Sequence, residues 1–362
     1  MEFSLNFPIN GVSFGQVSTL ILRELYTRNP QSFPPLFLIG DKTDLSSQGA
    51  SPHFFNWIQE CTNQSYLNHS RDIPCFKLWH FTGGFESPSK VHNLITFYEL
   101  DSPTPSEKNV AKSCDNLFFT SKYTQEVFEN YNIKSKVIPL AFDKSNFKRL
   151  DKKYFEDERI TFNLCGKFEN RKNHKKIIKA WVKKYGNNSK YSLQCAIYNP
   201  FLSEPQNKQL FAESLEGESV YNVNFLGHMV QNELYNDFLN SGDIIIGMSG
   251  GEGWGLPEFQ SVGIGKHAVI LNATGNKEWA SDSNSVLVEP SGKKEVYDNI
   301  FFKKGESFNQ GSIFDFNDDD FISGCEESIK KVEKDRINHE GLKIQEEFTA
   351  SRMVDALLSV LK

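Results

Sequence analysis

The sequence lacks any apolar run long enough to cross a bilayer, which excludes a transmembrane helix of ordinary length. Its first residues, Met1 to Phe7, have neither the basic start nor the long apolar segment of a secretory signal, so we expect a cytoplasmic protein. It also lacks repeats of solenoid length and low-complexity tracts, which excludes repeat architectures and long disordered segments. These absences favour an ordinary soluble globular protein.

Paired cysteines are absent as well. The six cysteines are scattered and none forms a Cys-x-x-Cys pair, which argues against both a zinc site and a disulfide framework. We therefore predict free thiols and no metal site. The cysteines are Cys61, Cys75, Cys114, Cys165, Cys195 and Cys325.

What is present is a repeated alternation of short apolar runs with amphipathic segments, in a chain of 362 residues that is too long for one ordinary core. The alternation stops in a polar stretch, residues 143–159, and then restarts. This pattern predicts an α/β fold with two tandem domains, each a mostly parallel sheet covered by helices. The expected strands are Phe3–Phe7, Pro35–Gly40, Cys75–Trp79, Leu94–Glu99, Asn116–Ser121 and Lys136–Leu140, then Ile160–Cys165, Ser192–Ile197, Val223–Leu226, Asp243–Met248, His267–Leu271 and Ser285–Glu289.

One stretch, Ser249 to Gln260, organises the second half of the chain. It follows an apolar run and contains four glycines, Glu252 and then Pro257, which suits the first turn of a helix. Strand, glycine-rich turn and helix together place free backbone N–H groups at the end of a sheet, where a diphosphate binds well. A carboxylate such as Glu252 fits beside an anion only if it meets hydroxyl groups or developing positive charge, and a sugar diphosphate offers both.

A second loop, Gly166 to His174, carries three cations at a strand-to-helix turn. Lys167 and Lys172 supply compact charges and Arg171 supplies a two-pronged fork, a set suited to neutralising a diphosphate. If the sheet forms as predicted, this loop and the glycine-rich stretch face the same crevice.

The first domain offers weaker signals. Gly11 lies in a turn before a predicted helix, for which Ser13 and Gln16 would form a capping box. His80 ends a strand at the expected cleft edge. Glu99 is a candidate for binding a hydroxyl group of a substrate.

Together, the two second-domain loops resemble the donor-binding elements of retaining GT-B glycosyltransferases, in particular the large family four, also described as group 1. The family pairs a Gly-Arg-x-x-x-x-Lys element with two glutamates separated by seven residues. Lys167 stands where that family usually has arginine, Lys172 matches its lysine, and Glu252 matches its first glutamate. Gln260 replaces the second glutamate, which commonly holds the nucleotide ribose. The resemblance extends to Gly275–Glu278, where Asn276 replaces a glycine of the family's loop.

The resemblance implies two Rossmann-like domains facing across a cleft, with a last helix that crosses back to the first domain. We expect an acceptor domain at residues 1–155, a nucleotide-sugar domain at 156–345 and the returning helix at 346–362. It also implies that the chain moves a hexose or related sugar, with retention and without a metal or other cofactor, from a nucleoside diphosphate sugar to a glycan or lipid-linked acceptor. The catalytic residues would be Glu252, His80 and Lys172. The donor-binding residues would be Lys167, Arg171, Lys172, Gly253, Trp254, Gly255, Leu256, Gln260 and Gly11.

Two alternatives stay open at this point. The segment Lys144 to Lys190 holds fifteen lysines and arginines against five acidic residues, so an acceptor hydroxyl on a hydroxymethylated DNA base is conceivable. The replacement at Gln260 motivates the other alternative, a nucleotide-sugar-binding protein without catalytic activity.

Overall fold

The computed structural model describes residues 2–40 and 42–361. Within this range, most strands belong to two six-stranded sheets whose strand pairs are all parallel. Parallel strands need long crossovers, and the amphipathic segments between the apolar runs supply them as helices. The predicted α/β fold with two Rossmann-like domains is confirmed.

The first sheet has the strand order β2-β1-β3-β4-β5-β6. Its strands are β1 Ser4–Phe7, β2 Leu36–Leu38, β3 Cys75–Leu78, β4 His92–Thr96, β5 Asn116–Phe119 and β6 Lys136–Val137. The helices of this half are α1 Ser13–Arg28, α2 Pro52–Leu67, α3 Pro105–Ser113 and α4 Lys122–Glu129.

The second sheet has the order β12-β11-β10-β7-β8-β9. Its strands are β7 Ile160–Cys165, β8 Tyr191–Ala196, β9 Val223–Phe225, β10 Ile244–Gly247, β11 His267–Leu271 and β12 Val286–Val288. The longer helices of this half are α5 His174–Tyr185, α6 Glu204–Leu215, α7 Asn232–Ser241, α8 Leu256–Gly263 and α9 Asp318–Lys334. Short 3-10 turns at Asn170–Lys172 and Thr274–Glu278 follow strands β7 and β11.

The predicted strands lie where the structure has strands, but several are too long at their carboxyl ends. The run Leu94–Glu99, for example, ends as a strand at Thr96. Its last residues leave the sheet and continue toward the space between the domains. Phe97 and Glu99 contact the glycine-rich stretch of the second domain, and Tyr98 is buried among first-domain residues, so burial alone does not mark where a strand ends.

The capping box predicted for α1 is wrong. Helix α1 begins at Ser13 itself, its cap position is Val12, and no side chain caps it. Ser13 is therefore the first residue of the helix and not its cap, and its hydroxyl accepts no hydrogen bond from the N–H groups of the first turn. The Gln16 side chain instead donates to the Gly11 carbonyl at 3.4 Å.

The chain ends in three short helices, α10 His339–Leu342, α11 Ile344–Glu347 and α12 Ala350–Leu358, followed by a 3-10 turn at Ser359–Leu361. Helix α12 packs on α1, with Met353, Val354 and Leu357 buried. Asp355 of α12 pairs with Arg28 of α1 at 2.6 Å. The predicted return of the last helix to the first domain is confirmed.

One element was missed from the sequence, a long hairpin at residues 292–315. Its antiparallel strands, β13 Gly292–Glu295 and β14 Ser312–Asp315, are joined by a 16-residue loop that packs into the first domain. Val296, Phe302 and Ile313 are at most 5 % exposed and share a core cluster with first-domain residues. Asp101 of the first domain accepts from the Ser312 N–H at 2.8 Å and pairs with Lys293 at 2.9 Å.

The boundaries 1–155, 156–345 and 346–362 remain a proposed division. They are supported by the gap between β6 and β7 and by the packing of α12 on α1. The long hairpin qualifies this division, because it belongs to the second domain by sequence and packs on both domains.

Candidate active site

Each sheet has one point where the strand order reverses, and ligands of such sheets bind beyond the strand ends at that point. In the second sheet it lies between β7 and β10, so the loops Gly166–Asn173 and Met248–Gly255 flank it. In the first sheet it lies between β1 and β3, which are followed by the Gly11 turn and by Trp79 and His80. The fold therefore brings four separate loops to one place.

A cavity of about 480 Å³ lies where these loops meet, within the size range of small-molecule sites. It is lined from both domains. All of the residues predicted for the site border it: Gly11, His80, Glu99, Lys167, Arg171, Lys172, Glu252, Gly253, Trp254, Gly255, Leu256 and Gln260. The sequence prediction thus selected residues from both sheets that the fold brings together, although their individual roles stay predictions.

The centre of the cavity wall is a buried cluster of charges. Lys172 pairs with Glu252, and Arg171 lies 3.3 Å from the same carboxylate. Arg171 also pairs with Glu169 at 2.7 Å, and across the cleft it lies 3.7 Å from Glu99 of the first domain. Buried charges must be paired, and here Arg171 and Lys172 are paired with carboxylates before any anion binds.

This pairing sets the protonation of the cluster. Burial by itself would raise the pKa of Glu252, but Lys172 and Arg171 outweigh it and lower the pKa to about 2. Burial would lower the pKa of Lys172, and Glu252 outweighs this so that the pKa is raised. For Glu99 burial prevails and its pKa is raised, because Arg171 only partly offsets the cost. The two cations and Glu252 are therefore charged at neutral pH.

A further carboxyl, Glu258, lies in the first turn of α8 and is 3 % exposed. Burial raises its pKa to about 7, in spite of the nearby Lys172 and with the Glu252 charge adding to the rise. Sequence reasoning missed both Glu258 and Glu169. The only available signal was a surplus of glutamates beside the glycines and cations of the two loops, which does not show which glutamates are buried.

Lys167 lies apart from this cluster. Its ammonium group lies 5.2 Å from the ring of Phe201 and 4.7 Å from the ring of Phe301, which belongs to the long hairpin. Cation–π contacts of this kind hold a charge in place without neutralising it. Lys167 is thus a cation at the cavity wall with aromatic partners, whereas Lys172 and Arg171 have carboxylates.

Helix α8 points its amino-terminal end at the cavity. Its cap is Gly255, with φ of 83°, and no side chain caps the first turn. Pro257 occupies the first turn as predicted. The uncapped N–H groups and the helix dipole therefore favour an anion at this end of the cavity.

The glycine-rich loop also serves a purpose that the sequence did not suggest. A Cβ at Gly251 would lie 2.7 Å from the Glu99 carbonyl oxygen, and one at Gly253 would lie 2.8 Å from Cβ of Phe97. The Thr120 hydroxyl donates to the Gly253 carbonyl at 2.6 Å. These two glycines admit the backbone of the first domain, so the loop is also a contact between the domains.

Trp254 borders the cavity, but its ring packs elsewhere. It is 3 % exposed and lies against Phe259 and Phe348, with ring centroids at 5.3 and 5.6 Å. The aromatic residue of the predicted motif thus fixes the glycine-rich loop on the core between the domains.

The first-domain wall of the cavity is aromatic. Phe14 of α1 lies 4.4 Å from the His80 ring and stacks on Phe97 at 4.3 Å, and Trp79 lies beside them at 5.7 Å. His80 is open to the cleft, yet the surrounding protein desolvates it and Lys167 repels a proton, which together lower its pKa to about 4. His80 is therefore a neutral hydrogen-bonding group at neutral pH.

Three amides meet where the two walls join. Gln260 donates to Gln16 of the first domain at 3.4 Å, and Gln16 donates to Asn232 at 3.4 Å. All three border the cavity, and Nδ2 of the buried Asn232 has no hydrogen-bond partner. The position of the predicted ribose-binding residue thus has neutral amides from both domains.

The basic segment that motivated a DNA acceptor is largely paired. Lys175, Lys179 and Lys184 on α5 contact Glu213, Glu216 and Glu326, and Lys152 contacts Asp237. Its local charge is therefore compensated by acidic neighbours from other parts of the fold. The structure offers modified DNA no support as a partner.

Across residues 2–40 and 42–361, no group of three or more His, Cys, Asp or Glu side chains could hold a metal ion. No helix in those same ranges is both long and apolar enough to pass through a membrane.

Comparison with known proteins gives a family match over part of the chain and the fold of the whole chain. Residues 146–300 match the family described as Glycosyl transferases group 1. No curated protein matches by sequence. Similar solved structures include sucrose-phosphate synthase from Thermosynechococcus elongatus, with 12% identity, a TM-score of 0.68 and coverage of 99% of this chain and 98% of that one.

HepE of Anabaena, solved with UDP and glucose, has 14% identity and a TM-score of 0.65, covering 99% of both chains. A glycosyltransferase from Rickettsia africae ESF-5 has 13% identity and a TM-score of 0.64, covering 99% of this chain and 97% of that one. At these identities the likeness establishes the fold along the whole chain.

Proposed function

We propose that this chain, whose residues 146–300 belong to the group 1 glycosyltransferases and whose fold is GT-B, is a retaining enzyme. It transfers a hexose or related sugar from a nucleoside diphosphate sugar to a hydroxyl group of a glycan or lipid-linked acceptor. The family match and the fold support a nucleotide-sugar glycosyltransferase. Retention, the sugar and the acceptor are the proposed part.

The observation that carries the proposal is the arrangement around Glu252. One carboxylate lies between two buried cations, beside the uncapped end of α8 and opposite an aromatic wall, in a single cavity. Cations and helix N–H groups suit the leaving diphosphate. The carboxylate suits the sugar, which gains positive character as its bond to the diphosphate breaks.

The diphosphate of the donor would compete with Glu252 for the two buried cations. It offers Lys172 and Arg171 new anionic partners, which frees Glu252 from full neutralisation and leaves it facing the sugar hydroxyls. Lys167 and the first turn of α8 add to the positive field on the diphosphate. The charge that develops on the leaving group is thus stabilised by groups of the protein, without a metal ion.

The first domain would hold the acceptor side of the sugar. Neutral His80 can hydrogen-bond a hydroxyl group of the sugar or of the acceptor substrate. The Glu99 carboxylate can accept a hydrogen bond from the acceptor substrate, and Gly11 leaves room at the cavity edge. The anomeric C–O bond breaks toward the diphosphate and the acceptor oxygen forms the new bond on the same face. Its proton passes to the departing phosphate oxygen, so no covalent intermediate on the protein is needed.

The test begins with thermal shift over UDP, GDP, ADP and their sugars, because a ligand at a hundred times its Kd stabilises a protein by about 2.7 kcal/mol. We then expect Glu252→Ala to keep nucleotide binding within about threefold while transfer falls about 100-fold or more, the range for removing one transition-state contact. Glu213→Ala, at an exposed glutamate paired with a lysine, is the matched control. Transfer at the wild-type rate by Glu252→Ala would disprove the role given to Glu252.

Gln260 keeps one alternative in place, a nucleotide-sugar-binding protein without catalytic activity. The amide contact between Gln260 and Gln16 gives it a specific basis, since the site lacks the second glutamate of the family. Slow hydrolysis of a nucleotide sugar in the absence of acceptor would decide against the alternative. Tight binding with neither hydrolysis nor transfer would favour it.

A further inference from the structure

The buried cluster around Lys172 has more negative than positive charge. Two cations, Arg171 and Lys172, face four carboxyl groups, Glu99, Glu169, Glu252 and Glu258. With every group ionised the sum is −2. A diphosphate diester brings two further negative charges into the same space, which Lys167 at the cavity wall offsets only in part, so an added proton would favour its binding.

Glu258 is the carboxyl of the cluster with the fewest compensating contacts. Its Oε2 atom is buried and has no hydrogen-bond partner. Gly247 at the end of β10 makes room for the side chain, since a Cβ there would lie 2.5 Å from Cγ of Glu258. By contrast, Glu252 pairs with two cations and Glu169 pairs with Arg171.

The groups facing Glu258 come from several elements. Cys165 ends β7, Tyr235 lies on α7, Lys172 and Arg171 lie on the 3-10 turn, and Glu252 lies on the glycine-rich loop. Burial raises the pKa of Cys165 and of Tyr235 well above their usual values, so both stay neutral. The charges acting on Glu258 are therefore those of Lys172, Arg171 and Glu252, and a diphosphate placed on Lys172 weakens the attraction that favours its ionised form.

A protonated Glu258 also has an available acceptor. Asn276 is buried, both atoms of its amide lack partners, and its Oδ1 and Oε2 of Glu258 lie on the same side of Gly255. Protonation converts Oε2 from an unpartnered acceptor into a donor beside an unpartnered acceptor. Burying such a pair costs less than burying an unpartnered carboxylate.

We propose that donor binding is coupled to the uptake of one proton from solvent by Glu258, which makes Glu258 a positioning residue that leaves Lys172 to the diphosphate. The inference rests on the donor site proposed above. In the bound state Glu258 is a neutral acid, Lys172 keeps its charge, and the cluster accepts the diphosphate with one less negative charge. The donor affinity then falls as the pH rises through neutrality.

The experiment is calorimetric titration with whichever of UDP-glucose, GDP-glucose and ADP-glucose gives the largest thermal shift. A sugar diphosphate is the right probe because its diester has no ionisation near neutral pH. At pH 7.5, the difference in binding heat between phosphate and Tris buffers should correspond to uptake of about half a proton or more. The Kd should be about five- to tenfold weaker at pH 8 than at pH 6.

Glu258→Gln mimics the protonated acid and is the decisive variant. It should bind with a Kd that changes less than about twofold over this pH range and should take up no proton. Glu99→Gln is the matched control, since Glu99 is the other carboxyl whose pKa burial raises, and it should keep the wild-type proton uptake.

Binding without proton uptake, or a Glu258→Gln variant with the wild-type pH dependence, would overturn this inference and leave the donor site intact. Loss of uptake in Glu99→Gln would assign the proton to Glu99 and would also overturn it. Should Glu258→Gln not fold, the proton count of the wild type and of Glu99→Gln decides alone. No binding of any of the three probes would overturn both the inference and the donor site.

Discussion

The two walls of the cavity arise from the same position in two similar sheets, yet they have opposite character. The second-domain wall has buried charges at the reversal of its strand order, whereas the first-domain wall has Phe14, Trp79, Phe97 and a neutral His80 at its own reversal. The topology thus fixes where a ligand lies, and the side chains of four loops decide which part of it each wall meets.

The difference also has an energetic side. Charges on the second-domain wall are buried, so each depends on a partner of opposite charge. Removing one of them leaves its partner with an uncompensated desolvation cost. The aromatic wall depends on contact area and shape, so changes there affect the ligand more than the fold. Five substitutions would test this contrast.

The largest effect is expected for Lys172→Ala. Removing the ammonium leaves Glu252 with Arg171 as its remaining cation and takes one cation from the diphosphate. We expect donor affinity to fall about 100-fold, transfer to fall about 1,000-fold, and the free energy of unfolding to fall by about 3 kcal/mol. Calorimetry, a transfer assay and urea denaturation measure the three quantities.

Lys175→Ala is its control, because Lys175 is exposed and paired on the surface with Glu213. It should leave all three quantities near the wild-type values. An equally stable Lys172→Ala variant would contradict the view that the charged wall supports the fold as well as the ligand.

On the neutral wall, His80→Ala should lower transfer about 10- to 100-fold while the Kd for the nucleoside diphosphate changes less than twofold. The wild-type rate should show no step from His80 between pH 6 and 8, because desolvation and the charge of Lys167 lower its pKa to about 4. His53→Ala, at an exposed histidine of α2, is the control. A large change in nucleotide affinity would place His80 on the donor side instead.

Within the charged wall, the pH dependence of the free energy of unfolding, measured without ligand, gives a further test. The folded pKa of Glu258 is raised to about 7, above its unfolded value, so its contribution is fully present below about pH 4.5 and is lost as the pH rises to 7. The loss is on the order of 3 kcal/mol. Urea denaturation of the wild type and Glu258→Gln from pH 5 to 8 measures it.

The difference between the two proteins is the relevant quantity, because other groups titrate too. Burial lowers the pKa of His80 and His174, which makes the whole protein more stable as the pH rises through their unfolded values. These contributions are common to both proteins and cancel. Parallel stability curves would show that Glu258 does not titrate in this range.

The smallest effect is expected where the two walls meet, at the amides. Gln260→Ala removes neutral hydrogen bonds of about 1 kcal/mol, so donor affinity should fall about three- to fivefold. Gln16→Ala should have a similar effect, and the double variant should be less than additive because the two amides contact each other. Gln209→Ala, on the exposed face of α6, serves as control, and additive effects would separate the two residues.

The sheets could be predicted from the sequence because, in their central strands, the pattern of apolar residues matches the pattern of burial. Ile244 to Gly247, for example, is buried on both faces, and the glycine-rich stretch begins two residues later. The reversal points follow from the order of strands, which the sequence does not state, but glycine-rich and basic loops after strands marked two of the four. The cavity-lining residues were found for that reason.

What escaped prediction depends on partners far apart in the chain. The cations of the loop after β7 were expected to await a ligand, yet Glu252 and Glu99 reach them from positions 80 and 72 residues away in the numbering. Val296, Phe302 and Ile313 of the long hairpin pack into a cluster of the other domain, where neither helical nor strand spacing is required. Local patterns cannot report such distant partners.

The long hairpin bears on how the protein is made. The first domain leaves the ribosome before Val296, Phe302 and Ile313 have been synthesised, although these side chains complete the cluster that contains Phe81, Tyr98 and Phe128. A nascent chain that ends before Val296 therefore has this cluster without three of its apolar side chains. Maturation of the amino-terminal half is in this sense finished by residues near the carboxyl terminus.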